Sequence, residues 1–65
     1  MAEYIIVGDT ENYTNCLIYA CGTLKEHAIE VLNRILNNPT RDDKYLTRKH
    51  NNIRIETITR DEKWW

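Results

Sequence analysis

Cysteine and histidine are the residue types most able to do chemistry here, and the chain has two of each: Cys16, Cys21, His27 and His50. Their pattern, Cys-x4-Cys-x5-His-x22-His, is not a recognised zinc-ligand spacing, and Cys-x-x-Cys is absent. Cys16 and Cys21 fall within one apolar segment that reads as a strand. Their odd separation predicts that they face opposite sides of the sheet, where they cannot bridge. The expectation is therefore two reduced thiols acting as small hydrophobes, no metal or other cofactor, and a cytoplasmic setting. Only Cys21 precedes a helix start, the setting that lowers a thiol pKa. Serine is absent altogether, so no serine nucleophile exists. Asp9, Glu11, His27 and His50 are the candidates for acid–base work, but no spacing singles them out. Gly8 and Gly22 are isolated, so there is no glycine-rich phosphate loop. These readings predict no enzymatic activity.

Charge and aromatic residues are more suggestive. Residues 41–54 hold five basic side chains (Arg41, Lys44, Arg48, Lys49, Arg54) against Asp42 and Asp43, net +3, with His50 nearby. Residues 1–40 hold two basic and five acidic groups, net −3. The chain is thus polarised, and its basic segment could receive a phosphate, a nucleotide or an acidic protein surface. The alternative is a solvated loop. Trp64 and Trp65 close the sequence, with Tyr4, Tyr13, Tyr19 and Tyr45 elsewhere. Aromatics beside arginine favour interfaces and stack on bases. Neighbouring residues of a strand face opposite sides, so one Trp can close the core while the other meets solvent or a partner. The sequence leaves open whether the natural chain continues past Trp65. The candidate partner- or anion-binding residues are Arg41, Lys44, Tyr45, Arg48, Lys49, Arg54, Trp64 and Trp65.

The elements that position these residues can be read from periodicity. Residues 3–8 are continuously apolar and β-favouring at Tyr4 to Val7, which predicts a central strand. A polar connection follows, with Asp9 and Asn12 suited to turns. A second strand is expected from Tyr13 or Thr14 to Cys21. Thr23 and Glu26 match a capping box. Leu24, Ala28, Val31, Leu32 and Ile35, widened by Ile29 and Leu36, form one helical stripe, with Lys25, Glu26, Glu30, Asn33 and Arg34 outside. Asn37-Asn38-Pro39 ends the helix. Thr40 and Asp43 predict a second cap and a short helix with Tyr45 and Leu46 inward. Ile53 to Thr57 alternates as a half-exposed strand, and Ile58 breaks the pattern through a bulge or an exposed second face.

The expected fold is one small α+β domain over residues 1–65, ordered β-β-α-(short α)-β. Its antiparallel or mixed three-stranded sheet has order 2-1-3, with the main helix on one face and a right-handed crossover. Composition agrees with a folded chain. Sixty-five residues are 42% hydrophobic and 29% charged at net −1, too apolar and too weakly charged for disorder. No apolar run is long enough for a membrane span, no secretory leader is visible, and no strong basic excess marks a duplex-DNA binder. A chain this short is marginally stable and commonly gains burial from disulfides, metals or association. The cysteine and histidine spacing favours neither of the first two, so the uncovered sheet face or an edge strand predicts a partner, most simply a homodimer.

Several segments are familiar together: residues 4–13, residues 16–22, Glu26-His27, Val31 to Arg34, Asn38-Pro39-Thr40, Asn52 to Glu56 and Trp64-Trp65. They look like small proteins encoded by phages and prophages of Gram-positive bacteria. That resemblance spans most of the chain and carries no transferable activity or site residue. It implies a non-enzymatic phage accessory protein in the host cytoplasm. By class analogy such a protein acts by binding, as an inhibitor of a host defence protein, anti-CRISPR proteins being one such class. The other reading of the residues is a nucleotide- or nucleic-acid-binding module built on the basic segment, with Tyr45 or a Trp stacked on a base.

Overall fold

The computed structural model describes residues 2–59. Trp64 and Trp65 lie outside the described residues. The elements run β1 (Ala2–Asp9), β2 (Cys16–Gly22), α1 (Lys25–Asn37), α2 (Arg41–Thr47) and β3 (Asn51–Thr59). The sheet order is β2-β1-β3, and β1 is antiparallel to both neighbours. The fold is therefore α+β with the apolar β1 at the centre, as its unbroken Tyr4–Val7 run requires.

The helix α1 lies across all three strands. Its Ala28, Val31 and Ile35 pack with Ile6 and Cys21 into one cluster, flanked by Tyr4, Ile18, Tyr19, Leu32, Ile53 and Ile55. The stripe is narrower than its sequence suggests. Leu24 is 65% exposed, Ile29 41% and Leu36 60%. A single sheet surface engages only one side of the helix, and both flanks stay open.

The start of α1 differs from expectation. Its N-cap is Leu24 in extended conformation, with no side-chain cap, so the Thr23–Glu26 box does not form. Gly22 leaves β2 with a φ of 76°, a left-handed conformation that glycine adopts without cost. The helix begins one residue later than the Thr23 motif implies, and Leu24 accepts from the backbone N–H of His27 and Ala28. At the other end the Asn38 N–H closes on the Arg34 carbonyl before Pro39.

The cap of α2 forms as the sequence predicts. Thr40 Oγ1 accepts from the Asp43 N–H at 3.2 Å, and Asp43 Oδ2 accepts from the Thr40 N–H at 3.0 Å. The inward face of α2 is not apolar, however. Asp43 is its buried residue, whereas Tyr45 is 66% and Leu46 40% exposed. The same box turns Asp43 inward and leaves Tyr45 and Leu46 toward solvent.

Two register shifts mark the β1–β2 pairing, between Tyr4 and Ile5 and between Ile6 and Val7. Each is a point where β2 carries an extra residue, and β-bulges reset side-chain alternation. Cys21 joins the core cluster while Cys16 pairs with Gly8, which shares its face with Ile6. The opposite-face expectation for the two cysteines fails for this reason. Both are free.

Along β3, pairing with β1 runs unbroken from Ala2–Thr59 to Val7–Arg54, so no bulge occurs at Ile58. The shift lies at the other end, between Val7 and Asp9, where Asn52 has a φ of 51°. Ile58 breaks the pattern because the face it occupies is exposed. Pairing sets Glu3, Ile5 and Val7 beside Ile58, Glu56 and Arg54, and Ile5 and Val7 beside Ala20 and Leu17. No described helix covers this second face. Leu17 is 61% and Ile58 42% exposed, although Val7 is fully buried. None of the described helices is long and apolar enough to cross a membrane.

Candidate functional site

The polar framework is built around two carboxylates. Asp43 is fully buried. It accepts from Arg34 Nε at 2.8 Å and Nη2 at 3.0 Å, a two-pronged pair, and from the Tyr19 hydroxyl at 2.5 Å. Thr47 Oγ1 donates to its carbonyl at 2.7 Å. One side chain thus joins β2, α1 and α2. The Arg34 guanidinium beside it holds the Asp43 carboxyl far below the ordinary carboxylate range, against the opposing effect of burial. Tyr19 is raised, first by its bond to Asp43, and Arg34 is raised by the same carboxylate. Arg34 also lies 5.8 Å from the Tyr19 ring centroid. Its place on the outer face of α1 is therefore only half free: the guanidinium reaches over to α2.

Asp9 anchors the other end of the sheet. It accepts from the Asn15 N–H at 3.1 Å, from Asn52 Nδ2 at 3.3 Å and from Arg54 Nη1 at 3.3 Å. Arg54 further donates to Glu56 at 3.0 Å, to the Asn52 carbonyl at 2.8 Å and to Asn15 Oδ1. Asn15, with a φ of 55°, and Asn52 adopt the left-handed conformation that asparagine tolerates. Together they bring the β1–β2 loop onto β3. The bond from the Asn15 backbone, then that from Asn52, lowers the Asp9 carboxyl. Arg54 is raised, first by Glu56.

This arrangement divides the sequence-predicted basic segment. Arg54 is committed to Asp9, Asn15, Asn52 and Glu56. Arg41, Lys44, Tyr45, Arg48 and Lys49 are exposed on and just after α2. Among them the Arg48 guanidinium lies 4.9 Å over the Tyr45 ring. Tyr45, Leu46, Arg48, Lys49 and His50 line a shallow hollow of about 210 Å³. Lys49 also borders a wider hollow of about 490 Å³ with Thr10, Glu11 and Asn12. The acidic β1–β2 loop and the basic end of α2 therefore adjoin.

The candidate acid–base residues are not assembled. Asp9 belongs to the Arg54 cluster, Glu11 lies in the exposed loop, and His27 is exposed on α1. His50 backs onto Gly8, where a Cβ would stand 2.9 Å from the His50 Cβ. Its Nδ1 is buried with no hydrogen-bond partner among the described residues. Burial pushes the Cys21 thiol up, opposite to what a nucleophilic cysteine needs. Among the described residues no group of three or more His, Cys, Asp or Glu is placed to hold a metal ion.

Sequence reasoning missed the Asp43 node and the lining roles of Leu46 and His50. The capping motif did flag Asp43, but as a local cap. Its pairing with Arg34 spans the break between α1 and α2 at Pro39, for which the sequence carries no periodic signal. No protein-family model, curated protein or solved structure matches this chain.

Proposed function

We propose that this chain acts by binding a protein, without chemistry of its own, and that the exposed end of α2 anchors the partner. The observation that carries the reading is the stacked Tyr45–Arg48 pair in the lining of a shallow hollow shared with Leu46, Lys49 and His50. Tyrosine and arginine are the residue types that most often dominate binding energy at protein interfaces. A guanidinium already stacked on an aromatic ring loses less freedom when it meets a carboxylate. The chemistry favours an acidic partner surface with an apolar protrusion. The resemblance to small phage proteins supports a host defence protein as that partner, inhibited by steric occlusion in the host cytoplasm, with a homodimer as the working unit. Arg54 contributes to the framework rather than to the anchor in this reading, because its charge is met internally.

The test is affinity capture from host lysate, treated with nuclease, using the native chain and a Tyr45→Ala/Arg48→Glu variant. The native chain should retain a specific protein, and the variant should lose it at least tenfold while keeping the native circular dichroism spectrum. Equal retention by both forms, or retention that nuclease abolishes, overturns the reading. The second outcome would transfer the site to nucleic acid.

A further inference from the structure

We infer that β3 is the self-association edge of this protein: two copies join their sheets antiparallel through β3, about a two-fold axis at Ile55. The sheet order leaves β2 and β3 as its two edges among the described residues. These edges differ. β2 is interrupted by two register shifts within five pairs, and such irregularities blunt an edge against further pairing. β3 runs regularly from Arg54 to Thr59, with no proline and no lysine in that stretch. It is the more regular template. Ile53 and Ile55 pack against the core cluster yet remain only half-buried, so a second β3 would complete their burial.

Among axes at residues 54–56, the charges select one register. A two-fold axis that makes one continuous sheet keeps α1 of both copies on the same side. Each residue then faces one of the same side-chain orientation, so the axis must pass through a residue. Centred on Arg54 or on Glu56, the pairing sets like charges directly opposite one another, which is destabilising. Centred on Ile55, it sets Arg54 opposite Glu56 of the second copy, twice, with Ile55 against Ile55 and Ile53 against Thr57 on the α1 side. These cross-copy pairs act through charge complementarity and leave the internal bonds of Arg54 to Asp9, Asn15, Asn52 and Glu56 in place.

This interface supplies the dimer of the proposed function but is separable from the α2 anchor. A monomer that still captures its partner removes the interface and leaves that reading intact. Light scattering on the native chain should give twice the 7.8 kDa chain mass at high micromolar concentration. Arg54→Glu and Glu56→Arg alone should each give the single-chain mass, because each makes every cross-strand pair like-charged. Mixing the two variants one to one should restore the double mass, since all four charges are then complementary. Because Arg54→Glu also removes the internal bonds to Asp9, Asn15, Asn52 and Glu56, and Glu56→Arg removes the last of these, a second measurement uses the native chain only. Amide hydrogen exchange at residues 53–57 should slow at least tenfold when the protein is taken from low to high micromolar concentration, with residues 17–21 unchanged. A single-chain mass for the native protein, variants that remain dimeric, or protection gained in β2 instead of β3 overturns the proposal.

Discussion

Asp43 is the residue on which the polar interior turns. Its carboxylate is out of water, and it persists there because Arg34 matches it with two N–H donors while Tyr19 and the Thr40 N–H fill its remaining acceptor positions. A buried ion pair adds little over an apolar contact of the same size, but removing one partner is costly. Asp43→Asn should therefore destabilise the fold by about 3 kcal/mol, read from urea unfolding at pH 7. Arg34 is partly exposed at 42%, so the remaining cation regains some hydration and the loss stays at the lower end of that class. The carboxyl titrates far lower in the folded state than in the unfolded chain, where it lies near the ordinary value of about 3.9. The unfolded state then binds the proton first as pH falls. Stability from Asp43 is fully present above about pH 5 and is lost progressively below it. The unfolding free energy of the native chain should drop between about pH 5 and pH 3, and Asp43→Asn should flatten that slope. An identical slope in both proteins would place the acid sensitivity elsewhere, with Asp9 the next carboxylate to examine.

The two cap motifs show how an element can be legible in sequence and still be displaced. Thr23-x-x-Glu26 and Thr40-x-x-Asp43 have the same spacing, yet only the second closes. The difference is context. Gly22 takes the chain out of β2 in a left-handed turn, and α1 starts where its apolar residues can reach the sheet. Packing sets that boundary and overrides the local motif. At α2 the preceding Pro39 ends the previous helix and Asp43 is drawn inward by Arg34, so local and tertiary preferences agree. Thr40→Ala should cost about 1 kcal/mol, the usual value of a lost N-cap, whereas Thr23→Ala should stay within about 0.5 kcal/mol of the native chain. Thermal or urea unfolding of the two variants side by side decides this, and equal losses would contradict the boundary of α1. The strands were readable for a related reason. β1 is apolar on both faces because it is central, and Ile53 to Thr57 alternates because one face meets α1. The bulges in β2 were not readable, since the loss of alternation they cause looks the same as a strand buried on both faces. That ambiguity inverted the relative orientation of Cys16 and Cys21. The basic segment was equally only half legible: composition located it, but the inward commitment of Arg54 depends on two left-handed asparagines whose effect is tertiary.

At the scale of the whole molecule, the shortage of core decides the remaining behaviour. A chain of this length buries only about 60% of its unfolded surface. Here the buried apolar residues are few, namely Ile6, Val7, Cys21, Ala28, Val31 and Ile35 among the described residues. One helix covers one face of three strands, the Asp43 cluster ties α2 to α1 and β2, and the Asp9 cluster ties the β1–β2 loop to β3. Folding of such a unit gains directly from any association that favours the folded chain over the unfolded one. If two copies unfold and separate in one step, mass action makes stability depend on protein concentration. A tenfold increase then adds about 1.4 kcal/mol per dimer, or about 0.7 kcal/mol per chain. For a domain of this size that raises the thermal midpoint by about 3–5 °C. Native protein scanned over a hundredfold range should therefore show a midpoint that climbs steadily, while an equimolar mixture of Arg54→Glu and Glu56→Arg climbs likewise and either variant alone does not. A midpoint independent of concentration for the native chain would mean that the fold supports itself as a monomer. The marginal core would then be sufficient, and the exposed β3 edge would have to be protected from aggregation by Arg54 and Glu56 alone.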